Sequence, residues 1–320
     1  MAQLRRIGVI GMGHVGAHVA NSLLLQGIAD ELYLCDIRAQ KVVSEAQDLS
    51  DSLSFAPYNT KIVNVGDAYE ELACCDILVN AAGNVALSEG NRDGELTFTT
   101  DACRSFAGRV ASAGFEGIWV TIANPCDVVA TEIQKLTGCD PRHVIGSGTA
   151  LDSARFRTVL AQQTGYDPKS IQAYMIGEHG DTMFACWSHV AFGGKPLSEL
   201  EREQPERFGF DKAALEETAR RAGYVTYAGK KCTEYAVANT SARICAAVLH
   251  NERAILAAGT MINGQYGESG IYTSLPCVIG ANGVEEVIEL DFSDDERASF
   301  HRTCAKVRSN IAKLSWWNEA

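Results

Sequence analysis

Short β-branched runs alternate with longer amphipathic segments through the first half of the chain. Arg6-Ile7-Gly8-Val9-Ile10 reads as a strand, and residues 15–26 carry a helical period that stops at Gly27. Further strands are expected at 31–35, 62–65, 76–80 and 118–122, with helices around 97–114 and 126–137. The run 76–80 is apolar on both faces, as a strand in the middle of a parallel sheet must be. Strands alternating with helices of this length predict βαβ units.

Beyond about residue 150 the pattern changes. A helix is expected over 151–164, an alternating stretch over 170–176, and long helices over 211–229 and 234–258. Strands at 275–280 and 284–290 flank Ala281-Asn282-Gly283, whose Asn-Gly favours a tight hairpin turn. A charged helix closes the chain from about 293. No repeat, low-complexity tract or linker interrupts the sequence. Its 320 residues exceed one ordinary core, so two packed domains are expected, over 1–146 and 147–320.

Gly11-Met12-Gly13-His14-Val15-Gly16 follows the first strand and opens the first helix, and Asp36 ends the second strand. Together they form a dinucleotide-binding fingerprint in its proper context. Gly11 permits the tight turn, Gly13 lets a pyrophosphate approach the backbone, and Gly16 lets helix and strand pack closely. The helix N-terminus offers unpaired N–H groups to the phosphates. Asp36 would accept a ribose 2′-hydroxyl and repel a 2′-phosphate, which favours NAD over NADP, while Arg38 weighs the other way. The expected fold class is therefore α/β: a Rossmann dinucleotide-binding parallel sheet followed by an α+β substrate domain.

Charge narrows the partners. Twenty-eight Lys+Arg against forty Asp+Glu leave a net charge of −12, which argues against a nucleic-acid binder. A few arginines in one cleft would still suffice for a small anion. No apolar run approaches the roughly 20 residues of a membrane helix, and no signal-peptide core precedes the glycine motif. Eleven cysteines at irregular spacing include no C-x-x-C, so no zinc ribbon or redox dithiol is signalled. They read as small buried hydrophobes in a soluble, reduced, cytoplasmic protein.

Four groups of residues are candidates for chemistry. His179 lies in Gly177-Glu178-His179-Gly180-Asp181, a poor strand interior but a good active-site loop. A histidine there also reads as an ordinary surface or capped residue. In Leu151-Asp152-Ser153-Ala154-Arg155, Asp152 and Arg155 are i,i+3 neighbours on one helical face. They form either a surface ion pair worth less than about 1 kcal/mol or a partly buried site among apolar neighbours. Asn124 stands at the C-terminal end of an expected parallel strand, where open α/β sheets bind ligands. The polar loop 87–94 is either a lid carrying Arg92 or a solvated connection.

In their order and spacing these motifs resemble the L-lactate/malate dehydrogenase family through nearly the whole chain, and most closely the L-2-hydroxyisocaproate dehydrogenase branch. Gly83-Asn84-Val85, Asn91-Arg92 before Glu95-Leu96, and Phe98-Thr99 carry the likeness to that branch. The resemblance implies an NAD-dependent oxidoreductase that exchanges hydride between an L-2-hydroxy acid and its 2-oxo acid, assembled as a homodimer or homotetramer. His179 would transfer the proton, with Asp152 orienting its ring. Arg155 would grip the substrate carboxylate through two parallel bonds, and Arg92 would polarise the carbonyl. Asn124 would bind near the reacting carbonyl and the cofactor, and Thr233 would line the pocket. The reaction needs no metal.

Departures from the family bear on the substrate. At the main specificity position, three residues after Gly83, Ala86 replaces the arginine of malate dehydrogenases and the glutamine of lactate dehydrogenases. A second carboxylate would find no partner there, so a monocarboxylic acid with a branched or aromatic side chain is expected ahead of oxaloacetate, with pyruvate intermediate. The alternative is an L-lactate dehydrogenase. Tyr224 and Tyr227 stand where the branch has apolar pocket residues, and their hydroxyls need partners if buried. Many bacterial lactate dehydrogenases respond to fructose 1,6-bisphosphate through an arginine and a histidine. Arg157 matches the first but Gln172 replaces the second, so little or no activation is expected. Two other classes stay open: a metal-using NAD-dependent glycosidase, for which Cys126 is the nearest metal ligand, and a non-catalytic NAD sensor.

Overall fold

The computed structural model describes residues 4–87 and 92–317. β1 (Arg6–Ile10) is followed by α1 (His14–Leu25), β2 (Glu31–Cys35), α2 (Ala39–Ser52), β3 (Lys61–Gly66) and β4 (Ile77–Asn80). Then come α3 (Leu96–Ser112), β5 (Ile118–Thr121), α4 (Cys126–Thr137) and β6 (Val144–Gly146). The six strands are parallel in the order β3-β2-β1-β4-β5-β6, the doubly wound arrangement of a Rossmann sheet. Every residue of β4 and β5 is buried, as a continuous apolar run between two helical layers requires. Helix α2, not expected from the sequence, buries Val42 and Leu49 against the sheet, with Ala46 on the same face.

The second half begins with α5 (Ala150–Thr164) and five two-residue strands: β7 (Ile171–Gln172), β8 (Met175–Ile176), β9 (Phe184–Ala185), β10 (Ala191–Phe192) and β11 (Lys195–Pro196). Helices α6 (Leu197–Glu203), α7 (Pro205–Phe208), α8 (Lys212–Lys230) and α9 (Tyr235–Leu249) follow. β12 (Ala254–Asn263), β13 (Ser269–Gly280), β14 (Gly283–Val287) and α10 (Asp294–Ile311) complete the α/β C-terminal half. Ser293 and Glu296 close the start of α10 with a reciprocal capping box.

One expected element is wrong. The helix expected over 234–258 ends at Leu249, and its last residues belong to β12. The alanines at 254, 257 and 258 favour a helix locally, but Asn251 and Arg253 turn the chain through positive φ and redirect it into the sheet. Gly259 then lies against Gly146 of β6, where an added Cβ would sit 3.0 Å from the Gly146 Cα. Through this contact β12, β13 and β14 extend the parallel sheet in antiparallel fashion to nine strands among the described residues. The hairpin forms as expected around Ala281 and Asn282, although β13 begins earlier than residue 275.

The core lies on both faces of the sheet. Val9, Leu23 and Ile244 pack on one side, and Phe106, Trp119 and Tyr272 on the other. A further cluster, with Phe156, Met175 and Phe208, sits beneath the short strands of the second half. No helix among the described residues is long and apolar enough to cross a membrane.

One buried group works against stability. Glu132 on α4 is fully buried, and among the described residues only the weakly donating Cys103 thiol approaches its carboxylate. Burial pushes its carboxyl up to about 9. Because the folded chain holds this proton more tightly than the unfolded chain, stability falls as pH rises from the ordinary glutamate range toward 9. Glu132→Gln should therefore stabilise the protein by about 1–3 kcal/mol at pH 8, with a smaller gain at pH 5. Thermal unfolding at both pH values tests this, and a variant less stable than the parent at pH 8 would contradict it.

Candidate active site

The glycine loop joins β1 to α1 at the C-terminal edge of the sheet. Gly11 has φ +92°, and a Cβ added to Gly16 would lie 1.9 Å from the Gly11 carbonyl oxygen. Both positions therefore need glycine if helix and loop are to approach so closely. Gly13, His14 and Val15 line a cleft of about 330 Å³, whereas Gly11, Met12 and Gly16 support its wall. The Met12 side chain is buried, and its N–H donates to Asp36 Oδ2 at 2.8 Å.

The loop fits a dinucleotide. A Cβ on Gly13 would meet nothing within 4 Å, so open space lies over the point where phosphates approach. Asn124 Oδ1, in the wall of the same cleft, is buried and accepts no hydrogen bond among the described residues. A polar atom left this way calls for a ligand donor. Asp36 is more engaged than its position in the chain suggests. It is buried just behind the cleft wall and also accepts bonds from the Arg38 N–H and guanidinium at 2.9–3.1 Å. Burial opposes its charge, but the Arg38 and Met12 hydrogen bonds hold its carboxyl below the ordinary range. Arg38, rather than Asp36, lines the cleft, and its side chain is 61% exposed.

At the other end of the cleft the second half supplies the reactive groups. Asp152 lies in the first turn of α5, where the helix dipole favours a carboxylate. It is fully buried: Oδ2 meets His179 Nδ1 at 2.6 Å, and Oδ1 accepts from Arg155 Nη1 at 2.8 Å. The i,i+3 pair expected from the sequence is therefore a buried ion pair, with the imidazole bonded to its second oxygen. His179 and Arg155 both line the cleft.

The His179 loop connects β8 to β9 and is pinned from several sides. Gly177 and Ser274 exchange backbone hydrogen bonds, and the Glu178 N–H donates to Thr303 Oγ1 at 2.7 Å. Glu178 in turn accepts from Thr182. The His179 N–H donates to Asp127 Oδ2 at 2.8 Å. Asp127, in the first turn of α4, was not signalled by periodicity or motif. Burial pushes its carboxyl up to about 8, although the His179 N–H favours its ionised form, with Glu178 and Asp152 adding like-charge repulsion.

Among the remaining candidates, Thr233, Tyr224 and Tyr227 line the cleft. The tyrosines share one face of α8, and the Tyr224 hydroxyl donates to Asp181 Oδ1 at 3.0 Å. Ala86 is not among the residues that line the cleft. It is exposed on a 3₁₀ turn, where Val85 faces the cleft instead. Successive side chains on such a turn point about 120° apart, so the two cannot share a direction. The Arg92 side chain lies outside the described residues. Cys126 is buried with its thiol on the Thr121 carbonyl.

Residues 5–146 match the family model for the lactate/malate dehydrogenase NAD-binding domain, and residues 149–315 match that for the alpha/beta C-terminal domain. The chain belongs to the lactate/malate dehydrogenase family. It is 41% identical to an L-lactate dehydrogenase of Fusobacterium nucleatum over 97% of both chains. It is also 37% identical to L-lactate dehydrogenase 3 of Bacillus cereus over 98% of both. The ligand-bound crystal structure of the minor L-lactate dehydrogenase from Enterococcus mundtii superposes with a TM-score of 0.91 at 32% identity, covering 97% of this chain and 98% of that one. A malate dehydrogenase of Cryptosporidium parvum superposes at 0.89 with 27% identity, covering 98% and 99%. The protein is thus an NAD-dependent oxidoreductase acting on the CH–OH group of small hydroxy acids. The likeness to the hydroxyisocaproate branch is not specifically supported, because the two sequence relatives and the Enterococcus structure are named L-lactate dehydrogenases.

The Asp152–His179 contact sets a direct expectation for this dehydrogenase. Asp152→Asn keeps the shape but removes the anion that steadies a protonated imidazole. It should lower kcat/KM for oxo-acid reduction by about 10²–10⁴-fold, with NADH affinity changed by less than about threefold. Steady-state kinetics with NADH fluorescence titration read both quantities, and unchanged kcat/KM would contradict the arrangement.

Proposed function

We propose that the protein is an L-lactate dehydrogenase, interconverting pyruvate and L-lactate. The observation that carries this reading is the catalytic end of the cleft. Among the described residues it presents one guanidinium, Arg155, beside His179, and Tyr224 and Tyr227 also line it. One carboxylate clamp suits a monocarboxylic acid, and a second carboxylate would lie among uncharged groups. Two tyrosines from one face of α8 suit a methyl better than a branched chain. The names of the relatives support the same choice over the hydroxyisocaproate reading.

Bound NAD supplies the hydride acceptor, and NADH the donor. The chain's own residues do the rest. His179 donates Nδ1–H to Asp152, so Nε2 is the nitrogen that gives a proton to the substrate oxygen in reduction and takes it back in oxidation. Asp152 fixes the ring and stabilises its protonated form. Arg155 holds the substrate carboxylate with donors other than the Nη1–H already given to Asp152. Arg92 polarises the carbonyl, Asn124 bonds near the reacting carbon and the cofactor, and Thr233 completes the pocket wall. Gly11, Met12, Gly13, His14, Val15, Gly16 and Asp36 serve the cofactor. We place the division between the cofactor and substrate halves after Gly146, and assembly as a homodimer or homotetramer follows the family. Weak or absent activation by fructose 1,6-bisphosphate follows from neutral Gln172 and from Arg157, whose guanidinium is half-buried on the Ala173 carbonyl.

The test is kcat/KM with NADH across pyruvate, 4-methyl-2-oxopentanoate, phenylpyruvate and oxaloacetate. Pyruvate should lead the branched acid by about 10-fold or more and oxaloacetate by a wider margin. A branched or aromatic acid as best substrate would restore the hydroxyisocaproate reading, and oxaloacetate as best would overturn both.

A further inference from the structure

Beside the cofactor loop, three side chains from distant parts of the sequence converge without serving the hydride-transfer chemistry. They are His14 at the start of α1, and Cys232 and Glu234 in the turn between α8 and α9. One donor atom from each lies within 4.8 Å of the others. Cys232 Sγ donates to Glu234 Oε1 at 2.8 Å, and His14 Nδ1 stands 3.4 Å from the same oxygen. Cys232 and Glu234 are buried, while His14 is exposed and free to adjust its ring.

We propose that His14, Cys232 and Glu234 form a binding site for a borderline-soft divalent cation of the zinc class at the mouth of the cofactor cleft. Imidazole, thiolate and carboxylate are together the donor set such ions prefer, and hard cations such as magnesium do not recruit thiolates. Tetrahedral bonds of roughly 2.0–2.3 Å place neighbouring donors about 3.3–3.8 Å apart. The three atoms already approach that spacing, and rotation of His14 closes the rest. Only one carboxylate takes part, so this is not a solvated acidic cluster. A surrounding shell is also present. Lys230 Nζ holds the other Glu234 oxygen at 2.6 Å, and His18 Nε2 lies 3.9 Å from it, which fixes the carboxylate with Oε1 toward the thiol. On binding, the Cys232 S–H bond breaks, a sulfur–metal bond forms and the proton passes to the buffer. No electron is transferred. The fourth position falls to water.

The site is independent of which oxo acid the enzyme reduces. Its test uses the full-length protein freed of metal by chelation. Cobalt(II) should produce a near-ultraviolet thiolate-to-metal charge-transfer band, and calorimetry should show one zinc ion bound with a Kd at or below roughly 10 µM. Cys232→Ser should abolish the band, and His14→Asn and Glu234→Gln should each weaken zinc by about 10-fold or more. Zinc should also raise the Tm of the parent but not of Cys232→Ser, a readout that confirms the variant folds. Cys74→Ser, which removes the exposed cysteine among the eleven, should leave the band unchanged. No saturable zinc binding, a band that survives Cys232→Ser, or one lost with Cys74→Ser would each overturn the proposal.

Discussion

A fully buried carboxylate organises the reactive end of this protein. Asp152 has no access to water, so its charge is tolerable only if both oxygens are bonded to groups that carry or accept positive charge. Arg155 satisfies one oxygen from the next turn of the same helix, and the imidazole of His179 satisfies the other from a separate loop. That requirement explains how heavily the His179 loop is anchored. The loop's N–H groups donate to Thr303 and Asp127 and its Gly177 exchanges hydrogen bonds with Ser274, so the ring arrives at Asp152 already oriented. On the proposed role of His179, the arrangement would preorganise a proton-transfer group rather than build one when substrate binds.

The cofactor end rests on close backbone packing. Gly16 against Gly11 brings α1 to the sheet edge, and the sheet continues past the parallel strands because Gly146 and Gly259 let β12 approach β6. The two halves thus share one sheet and face one cleft. Positive groups are concentrated there in a chain whose net charge is −12. A small organic anion is bound by this local placement, not by overall charge.

Much of this was legible in the sequence where the signal is local. The glycine loop and Asp36 lie within a single βαβ unit, and the 3.6-residue period puts Asp152 and Arg155 on one face. Those features needed no tertiary information. The β12 segment failed for the opposite reason: an alanine-rich run favours a helix, and only the left-handed turns at Asn251 and Arg253 and the Gly146 contact make it a strand. Alignment alone did not show that Val85 rather than Ala86 lines the cleft, because it does not say which way a 3₁₀ turn points its side chains. Asp127 and the His14–Cys232–Glu234 group were invisible because their partners are assembled by the fold. Nothing in the spacing of the cysteines marked Cys232, and only the return of α9 onto α1 brings its turn beside His14.

The central claim is that His179, held by buried Asp152, carries the proton while other groups bind the cofactor. It is tested most directly by His179→Asn, read in two ways on one preparation. NADH affinity by fluorescence titration should stay within about twofold of the parent, while kcat for pyruvate reduction falls by about 10³-fold or more. Turnover within about 10-fold of the parent, with cofactor binding intact, would contradict the account.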